Sequence, residues 1–418
     1  MTLVCKNGRS DSLVLEGRLV GDRCVTITVE EGVITQIEPK GSSRALLAPA
    51  FVDPHVHLRT PGREDEETIA SGTAAAAAGG YCAILAMPNT DPVVDSAPVL
   101  RGLLAAARRE ASVPVGFMAA ISRSLAGDQL TDMGELSDAG AAAFTDDGRP
   151  VRSAGLMRRA LQYGVVTGSK LALHCEEPTL SGDGQVHEGA IAAELGLAGY
   201  PSIGESAMVE RDLALAAYEE RPIHLMHLSA RESVEALEAA QARGVEATAE
   251  VTPHHLVRTD DDVRSLDPNL KMNPPLRAEE DRRALLDGLR SGVIGAVATD
   301  HAPHSREEKQ APFEAAPFGV TGLETSFAAL YTHLVVPGLL PLETLLERMS
   351  AGPARAFELP EPRLEVGARA NLVLLDLETE WTVTEAGFRS RSANSWLLGE
   401  RLRGSVVQTV ADGRIVHG

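Results

Sequence analysis

The stretch LLAPAFVDPHVH, residues 46–57, joins an apolar run to a polar end that carries two histidines. Seven more short apolar runs follow along the chain, at residues 81–86, 113–119, 141–144, 169–173, 222–226, 245–251 and 293–298. Stretches rich in Ala, Leu, Glu and Arg lie between most of them, at residues 99–110, 153–163, 205–219, 231–242 and 279–290. Eight alternations of strand and helix predict an α/β fold with a (β/α)8 TIM-type barrel.

The two ends of the chain differ from this middle part. Residues 12–20, 24–29 and 32–37, and later residues 370–376, 381–384 and 406–417, alternate apolar and polar side chains between glycine turns. This pattern is typical of strands. We therefore predict a small β-sandwich module formed by both termini, residues 1–48 and 357–418, beside a barrel over residues 49–356.

Charge and cysteine content restrict the function further. The 418 residues include 39 Lys and Arg against 59 Asp and Glu, which gives a formal net charge of −20. Such a surface argues against binding to nucleic acid or to an anionic membrane, and an anionic substrate would need a locally positive pocket. The four cysteines are too scattered for a disulfide framework, so a cytoplasmic location is expected.

Histidines follow several of the predicted strands directly. In an extended chain residues i and i+2 point the same way, so His55 and His57 can both face the barrel axis. Two imidazoles on one face suit a zinc-type ion, although a satisfied pair of polar histidines is the simpler alternative. His174 and His227 follow the fifth and sixth strands, at the end of a barrel where active sites form.

Carboxylates follow two other predicted strands. Asp146 and Asp147 come after the fourth strand, where a carboxylate can bridge two ions, although Asp-Asp-Gly is also a common turn. Asp300 follows the eighth strand and can bind metal while exchanging a proton; by itself it would suit a helix N-cap. His224 is predicted to be structural. Cys175 is either a small buried hydrophobe or a spare ligand.

Nitrogen and oxygen ligands without thiolates favour Zn²⁺, Mn²⁺ or Co²⁺ in a working site. Two such ions would polarise a carbonyl and lower the pKa of an attacking water from about 15.7 toward about 7. This chemistry can hydrolyse an amide or close one.

Six stretches carry a more specific pattern: DPHVHLRTPG (53–62), AMPNT (86–90), FTDDG (144–148), EVTPHHL (250–256), KMNPPLR (271–277) and TDHAPH (299–304). Together they resemble the amidohydrolase superfamily and, within it, the type I dihydroorotases. The likeness extends over nearly the whole chain. It implies two zinc ions per subunit with six ligands: His55, His57, Asp147, His174, His227 and Asp300.

The resemblance also assigns these ligands. His55 and His57 would bind one zinc with Asp300, which also serves as the proton shuttle, and His174 and His227 would bind the other. Related hydantoinases, dihydropyrimidinases and allantoinases bridge their metals with a carboxylated lysine, whereas type I dihydroorotases use an aspartate. Spacing within the family pattern favours Asp147 as this bridge, with Asp146 as the alternative.

The substrate contacts that the resemblance implies are His57, Arg59, Asn89, Asn273, His304, Phe318 and Gly319. Arg59 offers a planar, charged fork for a carboxylate, although a surface ion pair is the alternative. Arg63 and Arg277 are weaker candidates and are predicted to be structural. Residues 305–317 are charged, show no strong helix or strand signal, and are expected to form a mobile lid.

The implied function is that of a zinc-dependent dihydroorotase, which cyclises N-carbamoyl-L-aspartate reversibly to L-dihydroorotate in de novo pyrimidine biosynthesis through a binuclear zinc-activated hydroxide. The expected partners are a small-molecule substrate, with a homodimer and an association with aspartate transcarbamoylase as further options. One alternative is a hydantoinase or allantoinase. Another is an inactive subunit that scaffolds aspartate transcarbamoylase, which should have lost metal ligands.

Overall fold

A computed structural model describes residues 1–6 and 12–418 of the protein. Its strands form either parallel sheets from the middle of the chain or one sheet shared by both termini. The strands are β1 (Leu13–Arg18), β2 (Cys24–Glu30), β3 (Val33–Pro39), β4 (Leu46–Pro49), β5 (Phe51–Val56), β6 (Tyr81–Ala86), β7 (Val115–Phe117), β8 (Leu171–Leu173), β9 (Val186–His187), β10 (Gly199–Tyr200), β11 (Ile223–Leu225), β12 (Ala247–Val251), β13 (Ala296–Val297), β14 (Leu372–Thr382), β15 (Arg401–Ala411) and β16 (Arg414–His417).

Helices separate most strands of the middle part. They are α1 (Ile69–Ala78), α2 (Ala97–Glu110), α3 (Met133–Ala139), α4 (Ala154–Thr167), α5 (Pro178–Ser181), α6 (Ala190–Leu195), α7 (Ile203–Glu219), α8 (Arg231–Ala242), α9 (Pro253–Val257), α10 (Glu279–Ser291), α11 (Arg306–Lys309), α12 (Ser326–Leu330), α13 (Leu342–Met349) and α14 (Ala351–Ala356). Among the described residues, none of the helices has both the length and the apolar character needed to cross a bilayer.

The strands of the middle part pair in parallel. β5, β6 and β7 form one sheet, and β8, β11, β12 and β13 form another. Single parallel bridges connect the two groups: Phe144 pairs with both Ala119 and Leu171, and Val56 pairs with His301. Parallel pairing therefore continues from β7 to β8, and from the segment after β13 back to β5. The carboxyl ends of all these strands consequently lie at one end of the protein.

Several predicted strands have different bounds in the structure. The run 46–52 is divided into β4, which joins the terminal sheet, and β5, which joins the parallel one. The run 141–144 is not a continuous strand, although Ala142, Ala143 and Phe144 bond its neighbours, and the run 293–298 is reduced to β13. An apolar run indicates which residues are buried, but burial alone does not determine where the hydrogen bonds between strands begin and end.

Both termini contribute to one seven-stranded sheet with the order β16-β15-β14-β4-β1-β2-β3. β14 unites the predicted strands 370–376 and 381–384 across an irregularity between Asp376 and Glu380. Buried side chains from both ends form its core, among them Ile27, Ile34 and Val410. The shared sheet is the feature on which the predicted composite module depends. Its division from residues 49–356 stays a prediction, and residues 7–11 of the module lie outside the described part.

Phe51 connects this sheet to the parallel strands. It begins β5, is fully buried, and its ring centroid lies 5.7 Å from those of Tyr81 and Phe327. We expect Phe51→Ala to lower the free energy of unfolding by about 3–5 kcal/mol, because the truncation leaves a cavity in a packed core. Urea unfolding followed by circular dichroism measures this change.

Val14→Ala is the control, since this side chain on β1 is 62% exposed and its loss should change the free energy of unfolding by no more than about 0.5 kcal/mol. A cost below about 1 kcal/mol for Phe51→Ala would contradict a rigid junction at this position.

Candidate metal centre and active site

The end of β5 presents the first two histidines. His55 lies within the strand and His57 directly follows it, two residues along, so that both side chains point toward the carboxyl end of the parallel strands. The backbone N–H of His57 donates to the carbonyl oxygen of His301 at 2.8 Å, which holds this strand end beside the segment that carries Asp300. Asp300 Oδ1 consequently lies 3.4 Å from His55 Nε2 and 3.0 Å from His57 Nε2.

Asp147 lies among four imidazoles. Its carboxylate oxygens are 3.7 Å from His55 Nε2, 3.5 Å from His57 Nε2, 3.5 Å from His174 Nδ1 and 3.9 Å from His227 Nε2. One carboxylate within reach of both histidine pairs has the placement that a bridging ligand needs. The structure thus brings all six predicted ligands into one cluster.

Asp146 points elsewhere. One of its oxygens accepts from the backbone N–H of Ser122 at 2.9 Å, and the other accepts from the Ser122 hydroxyl. Burial raises the pKa of Asp146 to about 6, although these hydrogen bonds oppose the shift. Asp146 therefore acts as a link between neighbouring loops in this structure.

The donor set fits a divalent cation. His55 Nε2 is buried and has no hydrogen-bond partner, although it faces Asp147 and Asp300. His174 Nδ1 and His227 Nε2 approach to 3.0 Å, so that two ring nitrogens converge on one point. Imidazole nitrogens and carboxylate oxygens in such an arrangement are the ligands of catalytic zinc sites.

Charge within the cluster is strongly coupled. Burial disfavours the charged forms, but the positive charge of His55 and hydrogen bonds from neighbouring histidines hold the pKa of Asp147 and of Asp300 below the usual range. Likewise, burial lowers the pKa of His55, yet the charges of Asp300 and Asp147 raise it well above its ordinary value. The two buried carboxylates therefore require positive charge beside them, which a bound cation would also supply.

Glu250 orients the first histidine, and the sequence reasoning missed it. Its carboxylate accepts from His55 Nδ1 at 2.7 Å and from His224 Nε2 at 3.0 Å. Burial raises the pKa of Glu250, but these hydrogen bonds outweigh that effect and lower the pKa to about 2. A carboxylate on the outer nitrogen fixes the tautomer of a metal-binding histidine. A glutamate inside the apolar run 245–251 was the available signal. His224, which was predicted to be structural, bonds Thr248 at 2.8 Å as well as Glu250 and does not line the cavity.

Glu176 has the corresponding role for His174. Its Oε2 lies 3.1 Å from His174 Nε2 and accepts from Asn273 Nδ2 at 2.9 Å. Burial opposes ionisation, but the bonds to His174 and its neighbours lower the pKa of Glu176 to about 2. Cys175 Sγ lies 3.8 Å from Asp212 Oδ2 instead of facing the histidines, so the spare-ligand option finds no support in the structure.

A cavity of about 250 Å³ opens beside the cluster. It is lined by His57, Arg59, Asn89, Asp147, Gly148, His174, His227, Asn273, Asp300, Ala302, His304, Phe318 and Gly319. This set includes every predicted substrate contact. Asn89 links the two sides of the site, because its Oδ1 lies 2.9 Å from His57 Nδ1 and its Nδ2 donates to Asp147 at 3.1 Å.

Arg59 supplies the positive charge of this cavity. Its guanidinium lies 3.1 Å from Glu66 and 3.3 Å from His304 Nε2, and its Nε donates to Pro303 O at 3.0 Å. Burial lowers the pKa of Arg59, but a guanidinium remains charged in proteins. Arg63 is 46% exposed and pairs with Glu308 at 2.7 Å, outside the cavity lining.

Backbone strain collects at the same place. Arg59, His227 and Asp300 have φ values of 55°, 31° and 46°, in the left-handed region that non-glycine residues rarely adopt. Such strain persists where surrounding contacts impose it, and it concentrates at functional sites.

The segment 305–317 contains the short helix α11, which the sequence reasoning missed. Ser305 and Glu308 form its capping box. Lys309 Nζ donates to Pro268 O at 2.8 Å and to Pro317 O at 2.9 Å. Four helical residues are too few to give a periodic signal. Closure of this segment over the cavity stays a prediction.

Comparison with known proteins relates this geometry to a family. A family model described as "Dihydro-orotase-like" matches residues 44–233. The dihydroorotase of Listeria innocua is 44% identical over 418 residues, covering 99% of this chain and 98% of that protein. The dihydroorotase of Anaeromyxobacter sp. strain K is 45% identical over 426 residues, with 98% of each chain covered.

Solved structures give a wider comparison. The L-hydantoinase (dihydropyrimidinase) of Arthrobacter aurescens superposes with a TM-score of 0.84 at 26% identity, over 96% of this chain and 94% of that one. A D-hydantoinase superposes with a TM-score of 0.81 at 24% identity, with 96% and 94% covered, which shows a common fold. Since identities of 44% and 45% to these two dihydroorotases extend over almost the full length of both sequences, the chain belongs to the dihydroorotase family.

Proposed function

We propose that the cluster holds two zinc ions and uses them for the dihydroorotase reaction, the reversible cyclisation of N-carbamoyl-L-aspartate to L-dihydroorotate. His55, His57 and Asp300 would hold one ion, His174 and His227 the other, and Asp147 both. The single observation that carries this proposal is the position of Asp147 within 3.9 Å of all four histidines. When bound, the ions supply Lewis acidity and lower the pKa of the attacking water.

Asp300 moves the proton in this proposal. Its carboxylate lines the cavity, where an ionised oxygen can accept a proton from the attacking water. In the hydrolytic direction it then delivers that proton to the ring nitrogen that leaves, as a general acid–base group. His57 Nε2, 3.0 Å from Asp300, would bind the same ion and so keep the carboxylate in place.

Arg59 binds the substrate carboxylate, together with Asn89 and His304. A guanidinium presents a planar pair of donors to a carboxylate, and Arg59 is the positively charged side chain in the cavity lining. Asn273, Phe318 and Gly319, which also line the cavity, would contact the ring. This local positive charge lets a protein of net charge −20 attract a dianionic substrate.

The surrounding fold is proposed to be a complete (β/α)8 barrel with a β-sandwich module from both termini. Continuous parallel pairing around β5 to β13 and the terminal sheet support it. A homodimer, association with aspartate transcarbamoylase and a cytoplasmic location stay predictions. An inactive scaffold is disfavoured because the structure brings all six ligand side chains together.

Hydantoinase activity is the second candidate, because a solved L-hydantoinase shares the fold at 26% identity. The absence of a lysine from the segment 144–148 argues against a carboxylated-lysine bridge. Arg59 also argues against it, since hydantoin and allantoin lack the ring carboxylate of dihydroorotate.

Metal content tests Asp147. We expect Asp147→Ala, purified without chelators, to retain at most one of two zinc ions per subunit, because it removes the shared ligand. Asp146→Asn is the matched control: it keeps the shape and the acceptor toward Ser122, and its zinc content should equal that of the wild type. Zinc quantification by plasma emission spectrometry measures both. Two zinc ions per subunit in Asp147→Ala would contradict the assignment of Asp147 as the bridging ligand.

Turnover tests Asp300. We expect Asp300→Ala to lower kcat by about 10²–10⁴-fold, because the general acid–base group is lost. A carbamoyl aspartate assay in both directions measures the rate, and circular dichroism checks that the fold is retained. Rates within about three-fold of the wild type would contradict the proton-shuttle role.

Substrate choice tests Arg59. We expect Arg59→Met to raise KM for dihydroorotate by about 10²-fold, since one charge-assisted carboxylate contact is removed. Arg283→Met, on the exposed face of α10 and paired with Glu279, should leave KM unchanged. The wild type should turn over dihydroorotate far faster than hydantoin or allantoin. Comparable turnover of all three would favour the hydantoinase alternative.

A further inference from the structure

We propose that Asn394 is a positioning residue that sets the two substrate-binding loops of the cavity. Asn394 lies in the segment between β14 and β15, far along the chain from every residue of the metal cluster. The inference rests on the proposed function, in which His304 and Gly319 contact the substrate. It extends the working site to a side chain that does not itself line the cavity.

The Asn394 amide uses each of its hydrogen-bonding groups on these loops. Its Oδ1 accepts from the backbone N–H of His304 at 3.1 Å, and its Nδ2 donates to Ala302 O at 3.3 Å and to Gly319 O at 3.2 Å. Its own carbonyl oxygen accepts from the N–H of Thr321 at 2.9 Å. With only 6% of its surface exposed, the side chain is fixed between the loops.

The chemistry of the contact requires an amide. One acceptor and two donors in a single plane are found only in Asn and Gln, and the shorter one matches this spacing. Aspartate would set a negative oxygen against two carbonyls. Alanine would leave two buried carbonyls and one buried N–H unpaired, at a cost comparable to lost hydrogen bonds.

The segment around Asn394 is also held by contacts that do not involve its side-chain amide. Trp396 and Leu397, which follow it, are buried in a cluster with Phe313 and Val320. On the other side, the Ser392 hydroxyl donates to Glu66 O at 2.7 Å. The segment is therefore anchored on both sides of Asn394, so that the amide can impose its geometry on the loops.

The consequence concerns substrate binding more than chemistry. His304 Nε2 lies 2.7 Å from Phe318 O and 3.3 Å from Arg59, so displacement of its backbone changes the contacts of both neighbours. None of the six proposed metal ligands is bonded to Asn394. Loss of the amide should thus weaken substrate binding while the metal centre stays intact.

The test is steady-state kinetics of Asn394→Ala purified with zinc. We expect KM for dihydroorotate to rise about ten-fold or more, kcat to fall less than about three-fold, and zinc content to equal that of the wild type. Asn371→Ala is the matched control, because Asn371 bonds Asp412 N at 2.7 Å within the terminal sheet, and its KM should not change. A wild-type KM, or lost zinc, in Asn394→Ala would overturn the positioning role.

Two further variants separate this inference from the proposed function. His304→Ala should raise KM. In the double variant with Asn394→Ala, KM should rise by less than the product of the two single increases, since both substitutions act on one loop. An unchanged KM in His304→Ala would refute the proposed substrate contact. A raised KM in His304→Ala together with a wild-type KM in Asn394→Ala would refute only the positioning role. If Asn394→Ala does not fold, Asn394→Asp keeps the acceptor toward His304 and should still raise KM; a wild-type KM would overturn the inference.

Discussion

The site depends on the junction between the first and last parallel strands. The Asp53 carboxylate accepts from the backbone N–H of Thr299 at 3.2 Å and from the Thr299 hydroxyl at 2.6 Å. It also accepts from the backbone N–H of His55 at 3.1 Å. His57 adds a bond to the carbonyl of His301 at 2.8 Å. The buried bonds between Asp53 and Thr299 join segments 246 positions apart in sequence. Because buried polar groups are costly when unpaired, they fix the register on which every ligand distance depends.

Compensation of buried charge is the second requirement. Two carboxylates and four imidazoles share a space from which water is largely excluded, and each carboxylate is stable there only with opposite charge beside it. Glu250 and Glu176 extend this pairing outward, each accepting from the outer nitrogen of one histidine. The imidazole orientations are thus set by the protein itself. A preorganised cluster loses less entropy when it binds cations and substrate.

The terminal region contributes more than a sheet. Its segment 390–394 contacts two loops of the parallel-strand part: Ser392 bonds the loop after β5 and Asn394 bonds the loop after β13. The chain end and the catalytic loops are therefore one packed unit around Trp396 and Phe313. A side chain that is held by packed structure on both sides can keep neighbouring loops in register.

The amino-acid sequence was enough to predict the alternation of strands and helices, the matching orientation of His55 and His57, and the family pattern, because strand periodicity and short motifs are local properties. Spacing also favoured Asp147 over Asp146. The three-dimensional structure was needed to show that Asp147 faces the histidines, since neighbouring residues in a turn have no fixed relative direction. It alone revealed Glu250 and Asn394, because their roles are hydrogen bonds to segments distant in sequence, and no local pattern encodes which distant partner a buried polar side chain will meet.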